Sequence, residues 1–182
     1  MSTATSLPPA TAPTSCIDNA ASLSVAVRVL CQFTAKHGDL NLRFTPAPSA
    51  REGIAGHIQV AARRGRDYEV EVPLQGEHDG LLVRGRADGY DSKERRLDEC
   101  KTYRGDLSRM PDNQRELHWA QVKMYGAMMC RKHRLPRIRL TLVYFDIDTE
   151  DETVLAQDFR AEELQTFFEQ QCARYAVWGR AE

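Results

Sequence analysis

Two acidic residues and a lysine stand at a spacing that suits metal-assisted hydrolysis. Asp88 ends one predicted strand, and Glu99 and Lys101 lie on the strand after the next turn. Residues two apart on a strand share a face, so Glu99 and Lys101 point the same way and the hairpin folds Asp88 back towards them. Buried acids placed together need a cation or a shared proton. A divalent cation meets that need and acts as a Lewis acid, while a lysine can orient or deprotonate a water.

Polar residues on two predicted helices accompany this group. Gly53, Gly56 and His57 lie on the helix before the strands, and Gln121 and Tyr125 share one face of the long helix after them. Each has an ordinary structural interpretation, since histidines and tyrosines often pack in cores and a solvated Glu/Lys pair is common on strands. Glycine inside a helix costs about 1 kcal/mol relative to alanine. The two glycines therefore predict a close approach of other atoms to the helix backbone.

Taken together, these motifs resemble the RecB-like branch of the PD-(D/E)XK nuclease superfamily. The motifs are G-x-x-x-H (Gly53–His57), G-x-x-D (Gly85–Asp88), E-x-K (Glu99–Lys101) and Q-x-x-x-Y (Gln121–Tyr125). The resemblance covers residues 49–146 and includes the order of the motifs. It implies a restriction-endonuclease-like core and a metal-dependent deoxyribonuclease that hydrolyses DNA phosphodiester bonds in DNA repair or recombination. Endonuclease and exonuclease action are both compatible with these residues.

The same resemblance implies a role for each motif residue. The catalytic residues are Asp88, Glu99 and Lys101. The ligands of a Mg²⁺ or Mn²⁺ ion are His57, Asp88, Glu99 and the backbone carbonyl of Cys100. Lys101 assists the attacking water, and Gln121 and Tyr125 support the active centre or bind the nucleic-acid strand beside it.

The cysteines indicate free thiols. The chain has five, far apart and without a C-x-x-C pair: Cys16, Cys31, Cys100, Cys130 and Cys172. An odd number of scattered cysteines is typical of a protein from the reducing cytoplasm. Some nucleases related by the resemblance hold an iron–sulfur cluster with four cysteines. This chain lacks that spacing, so we expect no iron–sulfur cluster.

A second resemblance concerns residues 24–57. With His37-Gly-Asp-Leu and Arg43-Phe, this stretch is similar to the nuclease module that precedes the motor in some bacterial XPD-like helicases. It implies a helicase domain or subunit as a partner in addition to DNA. Two alternatives stay open: a non-catalytic module of the same fold that binds DNA or a partner protein, and an unrelated α+β scaffold whose motif match is coincidence.

Hydrophobic periodicity predicts the elements that would position these residues. Helices are expected at residues 24–36, 49–65, 112–135 and 162–178, and strands at 68–74, 81–88, 95–102, 137–146 and 153–159. Ser49 and Glu52 form a capping box at the start of the second helix, and residues 75–80 are expected to form a turn. This order predicts an α/β fold of the α+β sandwich type, in which helices flank a mixed central sheet.

Composition sets the outer limits. The chain has 182 residues, 42% of them hydrophobic and 28% charged, which favours one globular domain. Residues 1–20 are rich in Ser, Thr, Ala and Pro and are expected to form a disordered tail, with the domain at 21–182. No apolar run is long enough to span a membrane. The net charge is −1, yet residues 84–137 carry 14 Lys and Arg against 8 Asp and Glu, a distribution that suits a basic face towards phosphates.

Overall fold

The structure is a computed structural model that describes residues 23–36 and 48–179. Its elements are β1 (Leu23–Ala26), α1 (Val27–Thr34), α2 (Ala50–Ala62), β2 (Tyr68–His78), β3 (Leu81–Asp91), β4 (Arg96–Tyr103), a short 3-10 turn (Leu107–Arg109), α3 (Asp112–His133), β5 (Arg137–Asp146), β6 (Glu152–Arg160) and α4 (Ala161–Gly179). Two predictions lie outside the described residues: the disordered tail at 1–20 and the helicase-like motifs at His37 and Arg43.

Within the described residues, six strands form one mixed sheet and four helices cover it. The predicted α+β sandwich is therefore confirmed, and the arrangement is consistent with a restriction-endonuclease-like core. Alternate residues of β5 separate the two faces, because Leu142 and Tyr144 belong to the large core while Val143 and Phe145 belong to a smaller one. Helices α1, α3 and α4 pack together over the large core, and α2 packs on β4 over the small one.

The strand β3 forks the sheet. Along one edge it pairs with β2 from residue 81 to residue 91, except at Asp88. Along the other edge, residues 81–84 pair in parallel with β1 and residues 89–91 pair antiparallel with β4. Beyond this pairing β4 leaves β3 and continues in parallel with β5. Among the described residues, the edge of β3 between Arg84 and Gly89 therefore has no strand partner, and we call this opening the fork.

The hairpin between β2 and β3 differs from the prediction. Residues 75–78 belong to β2 rather than to a turn, and the connection is Asp79-Gly80 alone. Both residues have positive φ, 48° and 78°. Asp-Gly favours this two-residue type I′ turn because its twist matches that of the flanking strands. The turn thereby sets the register of β2 against β3.

The first predicted helix is wrong at its start. Residues 23–26 form the strand β1, and the helix begins only at Val27. Val25 is buried and pairs with Val83 on β3. A four-residue strand that runs directly into a helix has too little alternation to be recognised locally, and the free edge of β3 supplies the reason for its extended backbone.

Helix α2 sits unusually close to the sheet. The capping box of Ser49 and Glu52 is present at its start. A Cβ at Gly56 would lie 2.5 Å from Cγ2 of Thr102 and 3.1 Å from the ring of Phe145. The predicted close approach is thus confirmed at Gly56. At Gly53 the nearest atom would lie at 3.5 Å, which is ordinary contact.

Four of the five cysteines lie in the described residues, and each is buried and unpaired: Cys31, Cys100, Cys130 and Cys172. Cys100 packs in the small core under α2, on the face opposite Glu99. No helix in this part of the chain combines the length and the apolar character that crossing a lipid bilayer requires.

Candidate active site

The fork places the predicted acidic residues on two diverging strands. The side chain of Asp88 reaches across the opening, where its Oδ2 accepts a hydrogen bond from the backbone N–H of Cys100 at 2.7 Å. Its other oxygen, Oδ1, lies 3.5 Å from Nδ1 of His57 on α2. Asp88 therefore joins β3 to β4 where backbone pairing between them has ended.

Glu99 and Lys101 lie on the other side of β4, facing α3. The Nζ of Lys101 donates to Oε1 of Glu99 at 2.7 Å and to the side-chain oxygen of Gln121 at 3.0 Å. Glu99 is 6% exposed, and its second oxygen, Oε2, is buried without a hydrogen-bond partner. A buried carboxylate oxygen without a donor costs free energy, which makes this atom a place where a ligand would be stabilised.

Burial and mutual repulsion govern the charges at the fork. Burial, followed by the negative charge of Glu99, raises the pKa of Asp88 to about 7. Burial and the positive charge of Lys101 lower the pKa of His57. Burial also acts to lower the pKa of Lys101, but the charge and hydrogen bond of Glu99 outweigh it, so that pKa is raised. Near neutral pH the site therefore holds a neutral imidazole, a charged ammonium and an acid that resists ionisation.

Tyr125 is packed into the structure behind this group. The residue is 8% exposed, and its hydroxyl is hydrogen-bonded to the backbone of Arg86. A Cβ at Gly85 would fall 2.7 Å from the Tyr125 ring, so only glycine lets β3 approach α3 this closely. This contact explains the glycine of the G-x-x-D motif. It positions β3, and with it Asp88, against the helix that carries Gln121.

The donors at the fork fit a hard divalent cation. In the described part of the chain, no three His, Cys, Asp or Glu side chains come together as a ready-made metal cluster. Mg²⁺ is commonly held by one or two carboxylates together with waters and substrate phosphates rather than by a full protein cage. The unpartnered Oε2 of Glu99 and the repelled carboxyl of Asp88 are two such ligands. His57 is hydrogen-bonded to the backbone of Cys100, so both remaining predicted ligands lie beside Asp88.

One acidic residue near the fork was missed at the level of the sequence. Glu71 on β2 lies between the pairs Val70–Gly89 and Val72–Ala87, directly across from Asp88, and its φ is +54°. Its negative charge adds to the upward shift of the Asp88 pKa and partly opposes the downward shift of the His57 pKa. The Asp79-Gly80 sequence could have predicted the position of Glu71, because a two-residue hairpin turn there places residue 71 opposite residue 88.

Comparison with known proteins supports the fold. No family model matches the sequence, and no curated protein matches it. The crystal structure of SSO0001 aligns at a TM-score of 0.51 and 20% identity, over 82% of this chain and 75% of that chain. The crystal structure of a phage-related exonuclease from Haemophilus somnus 129PT aligns at a TM-score of 0.41 and 13% identity, over 81% of this chain and 76% of that chain. This chain therefore shares with SSO0001 the overall fold described above.

Proposed function

We propose that this chain is a metal-dependent nuclease that hydrolyses phosphodiester bonds of DNA. The observation that carries the proposal is the group of Asp88, Glu99 and Lys101 at the fork. Two acids there, Glu99 buried and Asp88 partly buried, share only one ammonium group, and one carboxylate oxygen has no partner. A site with this excess of buried negative charge is suited to a divalent cation.

In this proposal Asp88 and Glu99 hold a Mg²⁺ or Mn²⁺ ion, assisted by His57 and the carbonyl of Cys100. The bound ion supplies a Lewis acid that polarises the phosphodiester and acidifies a water. The ammonium of Lys101, held by Glu99 and Gln121, orients the attacking water and offsets the negative charge that develops on the phosphoryl oxygens. Because its pKa is raised, Lys101 acts as a cation and hydrogen-bond donor rather than as the base.

The finer assignments rest on the motifs. The four motifs support membership of the RecB-like branch, DNA as the substrate, a 5′-phosphate and a 3′-hydroxyl as products, and work in DNA repair or recombination. The scattered cysteines support a cytoplasmic location. The similarity of residues 24–57 to a helicase-associated module supports a helicase domain or subunit as a partner.

A cleavage assay tests the proposal. End-labelled single- and double-stranded DNA is incubated with the protein in EDTA, Mg²⁺ or Mn²⁺. We expect cleavage only with a metal ion, and a loss of about 10³-fold or more in Lys101→Ala. Lys93→Ala is the matched control, because Lys93 is an exposed lysine in the turn between β3 and β4. Cleavage by Lys101→Ala at the wild-type rate would contradict the proposal.

A non-catalytic module that binds DNA or a partner protein is the second candidate. Two observations favour it: the described residues contain no complete cluster of three metal-ligating side chains, and Lys101 already satisfies one oxygen of Glu99. DNA binding that is the same in EDTA and in Mg²⁺, with no cleavage in Mg²⁺ or Mn²⁺, would identify this alternative.

A further inference from the structure

The strand β6 forms one outer edge of the sheet, and its free side is unprotected. Its residues pair with β5 from Glu152 to Arg160 without a bulge. No further strand of the described residues pairs with it, so alternate residues direct backbone N–H and C=O groups away from the sheet. Edge strands usually carry proline, lysine or a bulge that discourages pairing with another chain. The sequence of β6 contains neither proline nor lysine.

The other long outer strand, β2, is protected. Pro73 has no backbone N–H, and Glu71 interrupts the extended backbone with a φ of +54°. Side chains of α3 also bind two carbonyl groups of β2, because Lys132 donates to that of Pro73 at 3.4 Å. Arg131 donates to that of Glu77 at 3.3 Å. In contrast, β6 offers an uninterrupted extended backbone to another chain.

The side chains of β6 also suit contact with another chain. Residues 153–157 form an uncharged run, and Val154 within it is 51% exposed. Val154 and Ala156 line an open cavity of about 520 Å³ on the α2 side of the sheet. The helix on that side, α2, packs on β4 instead. Exposed apolar side chains beside a free strand edge are typical of a surface that binds a further strand.

The charges at the two ends of β6 make the strand complementary to itself. When two copies pair antiparallel with Ala156 at the centre, each Glu152 lies opposite Arg160 of the second copy. Each Ala156 then faces its equivalent, and its small side chain permits close approach. A register centred on Leu155 would set Glu152 opposite Asp158 of the second copy, and like charges directly opposite are destabilising. The strand therefore favours the register centred on Ala156.

Both charged groups are available for this contact. Arg160 is exposed and has no ion pair among the described residues. Glu152 pairs with Arg63 and Arg64 of its own chain at 3.2 and 2.7 Å. A carboxylate can accept about four hydrogen bonds, so Arg160 of a second copy adds to this network rather than competing with it.

We propose that β6 is a dimerisation edge, along which two copies of this chain pair antiparallel and join their sheets about a twofold axis. A twofold contact uses the same surface on both subunits and closes on itself, so it ends at two copies. Backbone hydrogen bonds supply the affinity, and the pairs of Glu152 with Arg160 fix the register. This inference is independent of the proposed nuclease function, because β5 separates β6 from β4 and the fork.

The mass of the full chain in solution tests the proposal. Sedimentation equilibrium is measured across micromolar concentrations for the wild type, Ala156→Lys and Arg160→Glu. We expect a dimer for the wild type. Ala156→Lys sets two ammonium groups directly opposite each other, and Arg160→Glu sets like charges at both ends. Each variant is therefore expected to raise the dissociation constant of the dimer about tenfold or more.

The matched control is Ala173→Lys, which adds the same charge to an exposed position on α4. Its dissociation constant is expected to equal that of the wild type. Ala156 and Arg160 are themselves exposed, and equal far-UV circular dichroism verifies that all four proteins are folded.

Disulfide cross-linking tests the register. In the proposed dimer the two residues 156 lie opposite each other, about 5 Å apart at Cβ. The two residues 158 lie about 14 Å apart. Under mild oxidation we expect a covalent dimer from Ala156→Cys and none from Asp158→Cys, an exposed position on the same face of the strand. The wild type, which keeps its own cysteines, gives the background.

Three results would overturn the inference. The first is a wild type that is monomeric at every concentration, including one that instead binds an extended peptide of another protein at this edge. The second is a dimer that Ala156→Lys leaves unchanged, and the third is cross-linking through residue 158 in place of residue 156. DNA cleavage, present or absent, bears on the nuclease proposal and on none of these results.

Discussion

Asp98 and Glu99 are adjacent on β4, and both are buried, but their surroundings are opposite. Asp98 is 1% exposed and lies on the α2 side of the sheet. Its carboxylate accepts hydrogen bonds from Tyr68 at 3.1 Å and from Arg96 at 3.0 Å, and lies 3.5 Å from Nε of Arg64. Every charge in this group has a partner, which is typical of an acid with a structural role.

Glu99 faces α3 and is incompletely satisfied. Lys101 bonds one of its oxygens, and the other has no hydrogen-bond partner. Its charge also disturbs the ionisation of Asp88 across the fork. Asp98 and Glu99 together show that burial of an acidic residue does not by itself indicate a functional site. A functional site is indicated when a buried carboxylate also lacks enough cations or hydrogen-bond donors, because a bound ligand can then supply them.

The largest expected effect separates the two acids by activity. Under the proposed function, Glu99→Gln lowers the rate of DNA cleavage by about 10³-fold, because a ligand of the metal ion is lost. Its free energy of unfolding is expected to change little, because the loss of the charge that pairs with Lys101 opposes the relief of repulsion on Asp88. Cleavage kinetics and urea unfolding measure both. A Glu99→Gln protein that cuts normally would place Glu99 outside the reaction.

The neighbouring acid should behave in the opposite way. Asp98→Ala is expected to lower the free energy of unfolding by about 3 kcal/mol, because it leaves Arg64 and Arg96 short of a buried partner. Its cleavage rate should remain near the wild-type value when the protein is folded. Asp158→Ala, which breaks an exposed pair with Arg139, is the control and should leave urea unfolding unchanged. Equal free energies of unfolding for Asp98→Ala and Asp158→Ala would contradict the structural role assigned to Asp98.

Gly53 and Gly56 of α2 test whether the close packing of this helix on the sheet positions His57 at the fork. Gly56→Ala is expected to lower the free energy of unfolding by about 2 kcal/mol, because its Cβ would meet Thr102 at 2.5 Å. Thr102 is β-branched and stiff, and the displaced helix would carry His57 away from Asp88. Gly53→Ala has its nearest neighbour at 3.5 Å and should raise the same free energy by up to about 1 kcal/mol through helix propensity. Opposite signs in thermal unfolding are the expected result.

A smaller effect concerns His118, a buried polar group with one partner. Its Nδ1 lies 2.9 Å from the hydroxyl of Tyr144, and burial lowers its pKa to about 3. Between pH 3 and pH 6.5 this histidine is largely protonated in the unfolded chain, where its pKa is about 6.5, but stays neutral in the folded protein. The free energy of unfolding contributed by His118 is therefore complete above pH 6.5 and falls by up to about 1.4 kcal/mol per pH unit as the pH drops towards 3.

His118→Gln supplies the comparison for this pH dependence, because glutamine keeps a hydrogen-bonding group near Tyr144 and does not titrate. Urea unfolding of both proteins between pH 7 and pH 5 measures the difference. We expect the free energy of unfolding of the wild type to fall relative to that of His118→Gln as the pH drops from 7 to 5. Parallel curves would show that His118 is not the group responsible.

Periodicity and stop signals were enough to predict most elements. Helix α3, strands β4 to β6 and the capping box at Ser49 were predicted within a few residues. The strand β1 was missed because its extended form depends on the free edge of β3, a partner more than fifty residues away. The end of β2 differs from the prediction because residues 75–78, expected in a turn, extend the strand up to the two-residue Asp79-Gly80 turn.

The candidate site divides in the same way. Two-residue spacing on a strand and four-residue spacing on a helix depend only on backbone geometry. They predicted that Glu99 and Lys101 share a face and that Gln121 and Tyr125 stand together. The hydrogen bond from Cys100 to Asp88 and the orphaned oxygen of Glu99 depend on how far β4 departs from β3, and no local pattern encodes that distance.

The amino-acid sequence alone was enough to predict the order of the elements from α2 to α4, the faces on which Glu99 and Lys101 lie, and the glycine that α2 needs to approach the sheet. These are consequences of local geometry and side-chain size. The tertiary fold was needed to show that Asp98 is satisfied while its neighbour Glu99 is not, and that Asp88 spans the fork to the backbone of Cys100. Both depend on which distant groups meet at a given point, and the free energy of a buried charge is set by those neighbours rather than by the residue itself.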